Sequence, residues 1–337
     1  MEIRSAIRRL LEHQLPRFGY QLVPQELLYD WQKPSRAAAN APPLPRGARE
    51  YLTPDHLRLR ELRRAYAAFG GPAAQAAIWT DDFVRPEHLQ YFRGENGYLW
   101  QTRERNQNEL GYSLSYHYTR SCDRLRLLDR LDEDGAFGAH VFDVGRVISR
   151  DLLDSVLELD FLDRQLGIGG KETAILDIGA GYGRLAHRAL VGLDSVTRYL
   201  CTDAVAASTF LCEYYLRYRE LDDRVRVVPL HEIERTLESQ RVDLAVNVHS
   251  WSECTLGAID WWVALLRRHG VPEVMVVPNQ VSADETRMRT NRGEDFSVVL
   301  ESHGYELLAR ERKYTDPLAH KYAVSPAVYF LWSLRRG

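Results

Sequence analysis

Between residues 174 and 278, short runs that are apolar on both faces alternate with longer amphipathic stretches. The runs lie at residues 174–178, 199–202, 225–230, 242–248 and 274–278. A strand buried on both faces reads as a continuous apolar run, and the stretches between these are long enough for crossover helices, so the pattern predicts a parallel sheet. Two further strands, at 305–309 and 328–332, are placed to add an antiparallel pair at the end of the chain. Upstream, Ser149 is suited to cap a helix whose apolar positions are Leu152, Leu153, Val156, Leu157 and Leu166, and Gly167, Gly169 and Gly170 stop it. These elements define a doubly wound α/β domain over residues 149–337.

The first 148 residues carry a different pattern and read as a mostly helical cap. Ile3, Ile7, Leu10 and Leu11 fall on one helical stripe, expected to dock on the protein's own body, with a membrane-surface helix as the alternative. Residues 33–55 hold Pro34, Pro42, Pro43, Pro45 and Pro54; proline locks φ and lacks an N–H, so this stretch is expected as an exposed connector. A helical pattern resumes over 55–70 with Leu57, Leu59, Leu62, Tyr66 and Phe69. The aromatic-rich stretch 79–118 has no clean period and is expected as loops and short helices.

Composition narrows the class without naming a function. With 337 residues, 45% of them hydrophobic and 27% charged, the chain can bury an ordinary core without disulfide or metal staples. A formal net charge of −3 gives no overall attraction to nucleic acid or to anionic membranes. Only Lys33, Lys171, Lys313 and Lys321 are lysines, an arginine bias that fits a GC-rich genome better than dedicated phosphate recognition. Cys122, Cys201, Cys212 and Cys254 form no CxxC pair and read as reduced thiols of a cytoplasmic protein. The start carries charge throughout, unlike a signal peptide, and no apolar run approaches membrane-spanning length.

The chemistry begins at Asp177-Ile178-Gly179-Ala180-Gly181-Tyr182-Gly183, which follows the first strand and opens a helix near Arg184. Glycines here permit a tight turn and close approach of a ligand to the backbone. A dinucleotide fingerprint requires G-x-G-x-x-G, but the third glycine comes one residue early and Arg184 stands in its place. An acid two positions before the first glycine suits a cationic amino group, which S-adenosylmethionine carries and a pyrophosphate lacks. The spacing resembles motif I of Rossmann-like class I methyltransferases. Asp203, ending the second strand, is placed to accept the ribose hydroxyls, with Ala204 beside it; a solvated strand-end acid or a helix N-cap is the alternative. After the third strand, Leu230 is expected to cover the adenine, with His231 or Glu232 at its edge or simply exposed in a loop.

Longer strings extend the likeness. ILDIGAGYGRLAHR, CTDAV followed by STFLCEYYLRYR, and DLAVNVHSWSEC, together with FRGENGYLWQ, LDEDGAFG, VVPN and GYELLARERKYTDP, resemble the sugar O-methyltransferase family of bacterial natural-product pathways over about residues 50–320. The resemblance implies methyl transfer from S-adenosylmethionine to a hydroxyl of a deoxysugar or glycosylated metabolite, with S-adenosylhomocysteine as product. The alternatives are a methyltransferase for a non-sugar oxygen, nitrogen or carbon, and a non-catalytic scaffold. Against nucleic-acid amino groups, no NPPY or DPPY string follows the fourth strand and no basic stripe is visible.

The fourth strand delivers Asn247-Val248-His249-Ser250-Trp251-Ser252-Glu253 to the edge where ligands of open α/β sheets bind. His249 is the candidate general base, with Glu253 orienting it or serving as the base itself. Asn247 is expected at the cofactor; Trp251 and Asn279 at the acceptor. Arg93, Asn96, Tyr98 and Trp100 are candidates for an aromatic lid over a sugar, against the alternative that such rings form the cap's own core. A divalent cation that acidifies the acceptor hydroxyl would find donors in His249, Glu253, Asp284 and Glu285, but no compact ligand spacing requires one. An amino-terminal helix on a proline-rich arm could reach a second copy, so a homodimer is one reading, and the sequence does not fix the oligomeric state.

Overall fold

The computed structural model describes residues 42–74, 86–94, 109–221 and 223–335. The expected amino-terminal helix, the first part of the proline-rich connector, and Asn96, Tyr98 and Trp100 lie outside them.

Seven strands form one sheet: β1 (Thr173–Ile178), β2 (Val196–Thr202), β3 (Val225–Val227), β4 (Leu244–His249), β5 (Glu273–Pro278), β6 (Tyr305–Arg312) and β7 (Val328–Leu334), in the order β6-β7-β5-β4-β1-β2-β3. β3, β2, β1, β4 and β5 are parallel, and β7 runs antiparallel between β5 and β6. Every residue of β1 is buried, as befits a central parallel strand with helices on both faces. β3 ends sooner than the apolar run, because Pro229 turns the chain and a 3₁₀ turn begins at Leu230.

The helices that set the site are α1 (Leu57–Phe69), α2 (Glu109–Cys122), α3 (Arg150–Leu166), α4 (Arg184–Gly192), α5 (Ala206–Tyr218) and α6 (Leu256–Arg268). α3 starts as expected: the Ser149 hydroxyl accepts from the Leu152 amide at 3.1 Å, and Gly167 closes the helix at φ +69°. In α1 the buried face is Leu59, Leu62 and Tyr66, whereas Leu57, expected on that face, is exposed on the first turn. α2 differs from expectation. Fourteen residues of the aromatic-rich stretch and its sequel form one helix, which buries Tyr112 and Tyr116 and packs on α3.

The cap is fastened to the sheet domain at α5, and also at α3 and α6. Tyr51 stacks on Phe210 with ring centres 5.4 Å apart, and Arg58 pairs with Glu213 at 2.6 Å. The apolar core is continuous from Ala48 to Trp332, across the boundary expected at residue 148. Strand order reverses between β2 and β4 around β1, so the crevice of the fold opens where the glycine loop leaves β1 and His249 ends β4.

Candidate functional site

Backbone geometry at the end of β1 demands glycine. Gly179, Gly181 and Gly183 have φ of +76°, +58° and +88°, the left-handed region that side chains disfavour. At Gly179 there is also no room, since a Cβ would stand 2.1 Å from the Ser250 hydroxyl. The loop is tied to β2: the Gly179 and Ala180 amides both donate to the Thr202 carbonyl, at 2.9 and 3.1 Å, and the Gly181 amide donates to Asp203 at 3.0 Å. Asp203 also accepts from the Val205 amide at 2.8 Å, so this acid braces both loops while half-buried beside Ala204.

The turn after β4 closes the other side. Asn247 donates to the Ile178 carbonyl at 2.8 Å and to Ser250 at 2.6 Å, and accepts from the Trp251 amide at 3.0 Å. Its amide therefore works on the protein's own loops, clamping the turn against the base of the glycine loop. His249 follows at φ +70°, an uncommon conformation for a residue with a side chain and one that clusters at functional sites. It is half-buried, and its Nδ1 has no hydrogen-bond partner among the described residues. Glu253 is buried and accepts from the Asn279 amide group at 2.8 Å, while the Asn279 backbone donates to Ser252 at 2.9 Å. Trp251 is buried edge-on against Phe296, interior to the turn.

Charge at this edge is unusual. Burial pushes Asp177 up to about 7, with the Tyr199 hydroxyl donating to it at 3.0 Å and the Arg184 cation pulling the other way. Arg184 is itself committed to Glu158, at 2.9 and 3.0 Å, and to Ser155 at 2.8 Å. Burial likewise lifts Asp203 to about 6, against the Val205, Gly181 and Ala204 amides and the Ser208 hydroxyl that donate to it. His249 moves the opposite way, to about 3, because burial and then the Arg150, Arg184 and Lys313 cations disfavour its charged form.

Leu230 is fully buried and sits where expected after β3, but its amide donates to the Tyr66 hydroxyl at 2.9 Å, which also bonds Thr209 at 2.7 Å. Tyr66 comes from the cap, and its ring meets His231 edge-on at 5.9 Å. Sequence spacing had assigned it only to a helix face. Arg93, a candidate for the acceptor lid, has a fully covered side chain that pairs with Glu133 at 2.8 Å and reaches the Tyr182 hydroxyl at 3.2 Å, so it serves the buried junction of cap and sheet domain. Among the described residues, no group of three or more His, Cys, Asp or Glu is placed to hold a metal. Glu285 pairs with Arg312 at 2.6 Å, and Asp284 folds back on Thr286. No described helix is long and apolar enough to cross a membrane.

No family model and no curated protein matches the sequence. Among solved structures the chain is similar to the [4+2]-cyclase SpnF, at 15% identity and a TM-score of 0.41, over 58% of this chain and 85% of that one. It is similar to magnesium protoporphyrin IX methyltransferase (ChlM) from Synechocystis PCC 6803 with bound SAM, at 8% identity and a TM-score of 0.38, over 55% and 83% of the two chains. An O-methyltransferase family protein from Burkholderia thailandensis gives 12% identity and a TM-score of 0.40, over 56% and 59%.

Proposed function

We propose that this chain is an S-adenosylmethionine-dependent O-methyltransferase whose acceptor is a hydroxyl of a sugar or glycosylated natural product. The observation that carries the cofactor is Asp177, a carboxyl buried at the root of a three-glycine turn and lifted to about 7. A buried acid without a cation of its own gains most from a ligand that brings one. S-adenosylmethionine brings an ammonium and a sulfonium, and no phosphate that this acid would repel. Asp203, at the end of β2 and bonded to the glycine loop through Gly181, is the candidate for the ribose hydroxyls. The sugar acceptor rests on the family strings.

When bound, the cofactor supplies a methyl already activated on sulfonium. The chain's own tasks are to align the acceptor oxygen, exclude water and receive a proton. Neutral His249, on its strained turn at the crevice, offers an imidazole nitrogen to accept a hydrogen bond from the acceptor hydroxyl. A base lowered to about 3 does not ionise an alcohol beforehand. It need not do so, because the oxygen becomes a protonated ether, a far stronger acid, as the new C–O bond forms; the proton then passes to His249. Glu253, held by Asn279, flanks the same turn and is the second candidate for that proton.

Calorimetric titration with S-adenosylmethionine decides the cofactor: micromolar binding is expected, and none at millimolar ligand ends the proposal. Turnover of candidate glycosides by His249→Ala and Glu253→Ala is expected to fall by about 10²–10⁴-fold in whichever variant removes the base. Undiminished turnover in both removes the assignment.

A further inference from the structure

Two strings far apart in sequence meet in the cap. A Cβ on Gly94 would stand 2.9 Å from the Gly138 carbonyl oxygen, and the Arg93 amide donates to the Phe137 carbonyl at 3.1 Å. Between these turns lies the Arg93 side chain. Its Nη2 donates to Glu133 at 2.8 Å, its Nη1 to the Ala136 carbonyl at 3.3 Å and its Nε to the Tyr182 hydroxyl at 3.2 Å. Glu133 also accepts from Arg188 at 3.0 Å and from Ser149 at 2.5 Å. The Tyr182 hydroxyl in turn donates to Asp151, in the first turn of α3. Its ring packs against Phe92 and Tyr215, with centres 5.4 and 5.0 Å away.

Tyr182 stands between the second and third glycines of the loop, and both of those take positive φ. The bonds to Thr202 and Asp203 hold residues 179–181; past them the glycines on either side permit the peptide to turn, and Tyr182 is the one large side chain that can fix it. That side chain is buried and held at its tip from two directions, by the cap through Arg93 and by α3 through Asp151. We infer that Tyr182 is a positioning residue: its hydroxyl, locked between Asp151 and Arg93, sets the backbone of the glycine loop for the ligand that the loop holds. The loop is then shaped for the cofactor only while the Arg93 turn is docked. The affinity readout rests on the function proposed above; the backbone readout does not.

Tyr182→Phe keeps the ring and removes only the hydroxyl, and Asp151→Asn keeps an acceptor for it, whereas Asp151→Ala does not. Hydrogen exchange of the full chain is expected to speed at the amides of residues 179–184 in Tyr182→Phe and Asp151→Ala, with the amides of β4 and β5 unchanged and Asp151→Asn close to the parent. S-adenosylmethionine binding is expected to weaken about ten-fold in the first two variants, as for loss of a hydrogen bond to a charged group. Unchanged loop exchange in Tyr182→Phe overturns the inference, as does acceleration spread evenly over the sheet, which would mark general loosening. If the parent protein binds no S-adenosylmethionine, the function proposed above fails while the exchange arm still decides the role of Tyr182.

Discussion

Around Glu133, the carboxylates of Glu133, Asp134 and Asp151 face the guanidiniums of Arg93, Arg188 and Arg219, with closest contacts between 2.6 and 3.6 Å. These partners hold Glu133 well below the usual carboxylate range and Asp134 below it too, in spite of burial. At the glycine loop, burial pushes Asp177 and Asp203 up, to about 7 and about 6, because the groups that reach them are hydroxyls and backbone amides rather than dedicated cations. The chemistry of the side chains is the same in both places and the response is opposite. A buried acid with its counter-charge built in holds the fold together; a buried acid without one is strained until a ligand brings the charge.

The comparison breaks most visibly at Arg93. Replacing it with methionine keeps the length but leaves Glu133 and Asp151 facing one cation fewer, at a cost of about 3–5 kcal/mol, the usual effect of breaking a buried ion pair. Urea denaturation checks this, and a loss below about 1 kcal/mol would mean that the cluster is not what holds the cap. At Asp177 the opposite sign is expected. Asp177→Asn removes a charge that burial disfavours while keeping an acceptor for Tyr199, so the ligand-free protein gains about 1–3 kcal/mol at pH 8. S-adenosylmethionine binding by the same variant falls about 10–100-fold, from loss of a charge-assisted contact. A variant that is destabilised instead would place Asp177 with the Glu133 cluster.

The smallest effect is the pH dependence, and its sign is fixed by the direction of each shift. Asp177 binds its proton more tightly folded than unfolded, so its contribution to stability declines as pH rises from about 4 to about 7. Glu133 does the reverse: its contribution is present above its unfolded value near 4.5 and is lost as pH falls. Buried His187 and His249, lowered to about 2 and about 3, favour the fold increasingly as pH rises toward 6.5. The wild-type profile mixes all of these, so the informative quantity is the difference between wild type and Asp177→Asn. That difference is expected to be close to zero at pH 4 and to reach its full size above pH 7; a constant difference would show that Asp177 keeps an ordinary acidity.

Residues that act through their immediate neighbours were legible in advance. The apolar runs became β1, β2, β4, β5, β6 and β7, and Ser149 and Gly167 bounded α3, because burial on both faces and helix capping leave marks within a few residues. Leu57 and the early end of β3 were misread for equally local reasons, an exposed first turn and a proline. α2 was hidden because its buried tyrosines mix with polar side chains and blur the helical period. At the site, Asp177 and the glycine loop announced themselves by spacing. Tyr66, Tyr182 and Ser250 did not, since their partners lie 164, 31 and 72 residues away in the chain.

By itself the sequence determined the alternation of strand and helix, the turn that only glycine can make, and the acid at its root, all properties of short segments and their periodicity. Tertiary structure decided which charges meet. It gave Arg219 to Asp134 and left Asp177 with a phenol for company, and so it set opposite signs for the acidity of two residues that are the same letter. The physical reason is that a side chain's protonation energy depends on its burial and on charges a few ångströms away, and those neighbours are assembled by the fold from distant parts of the chain.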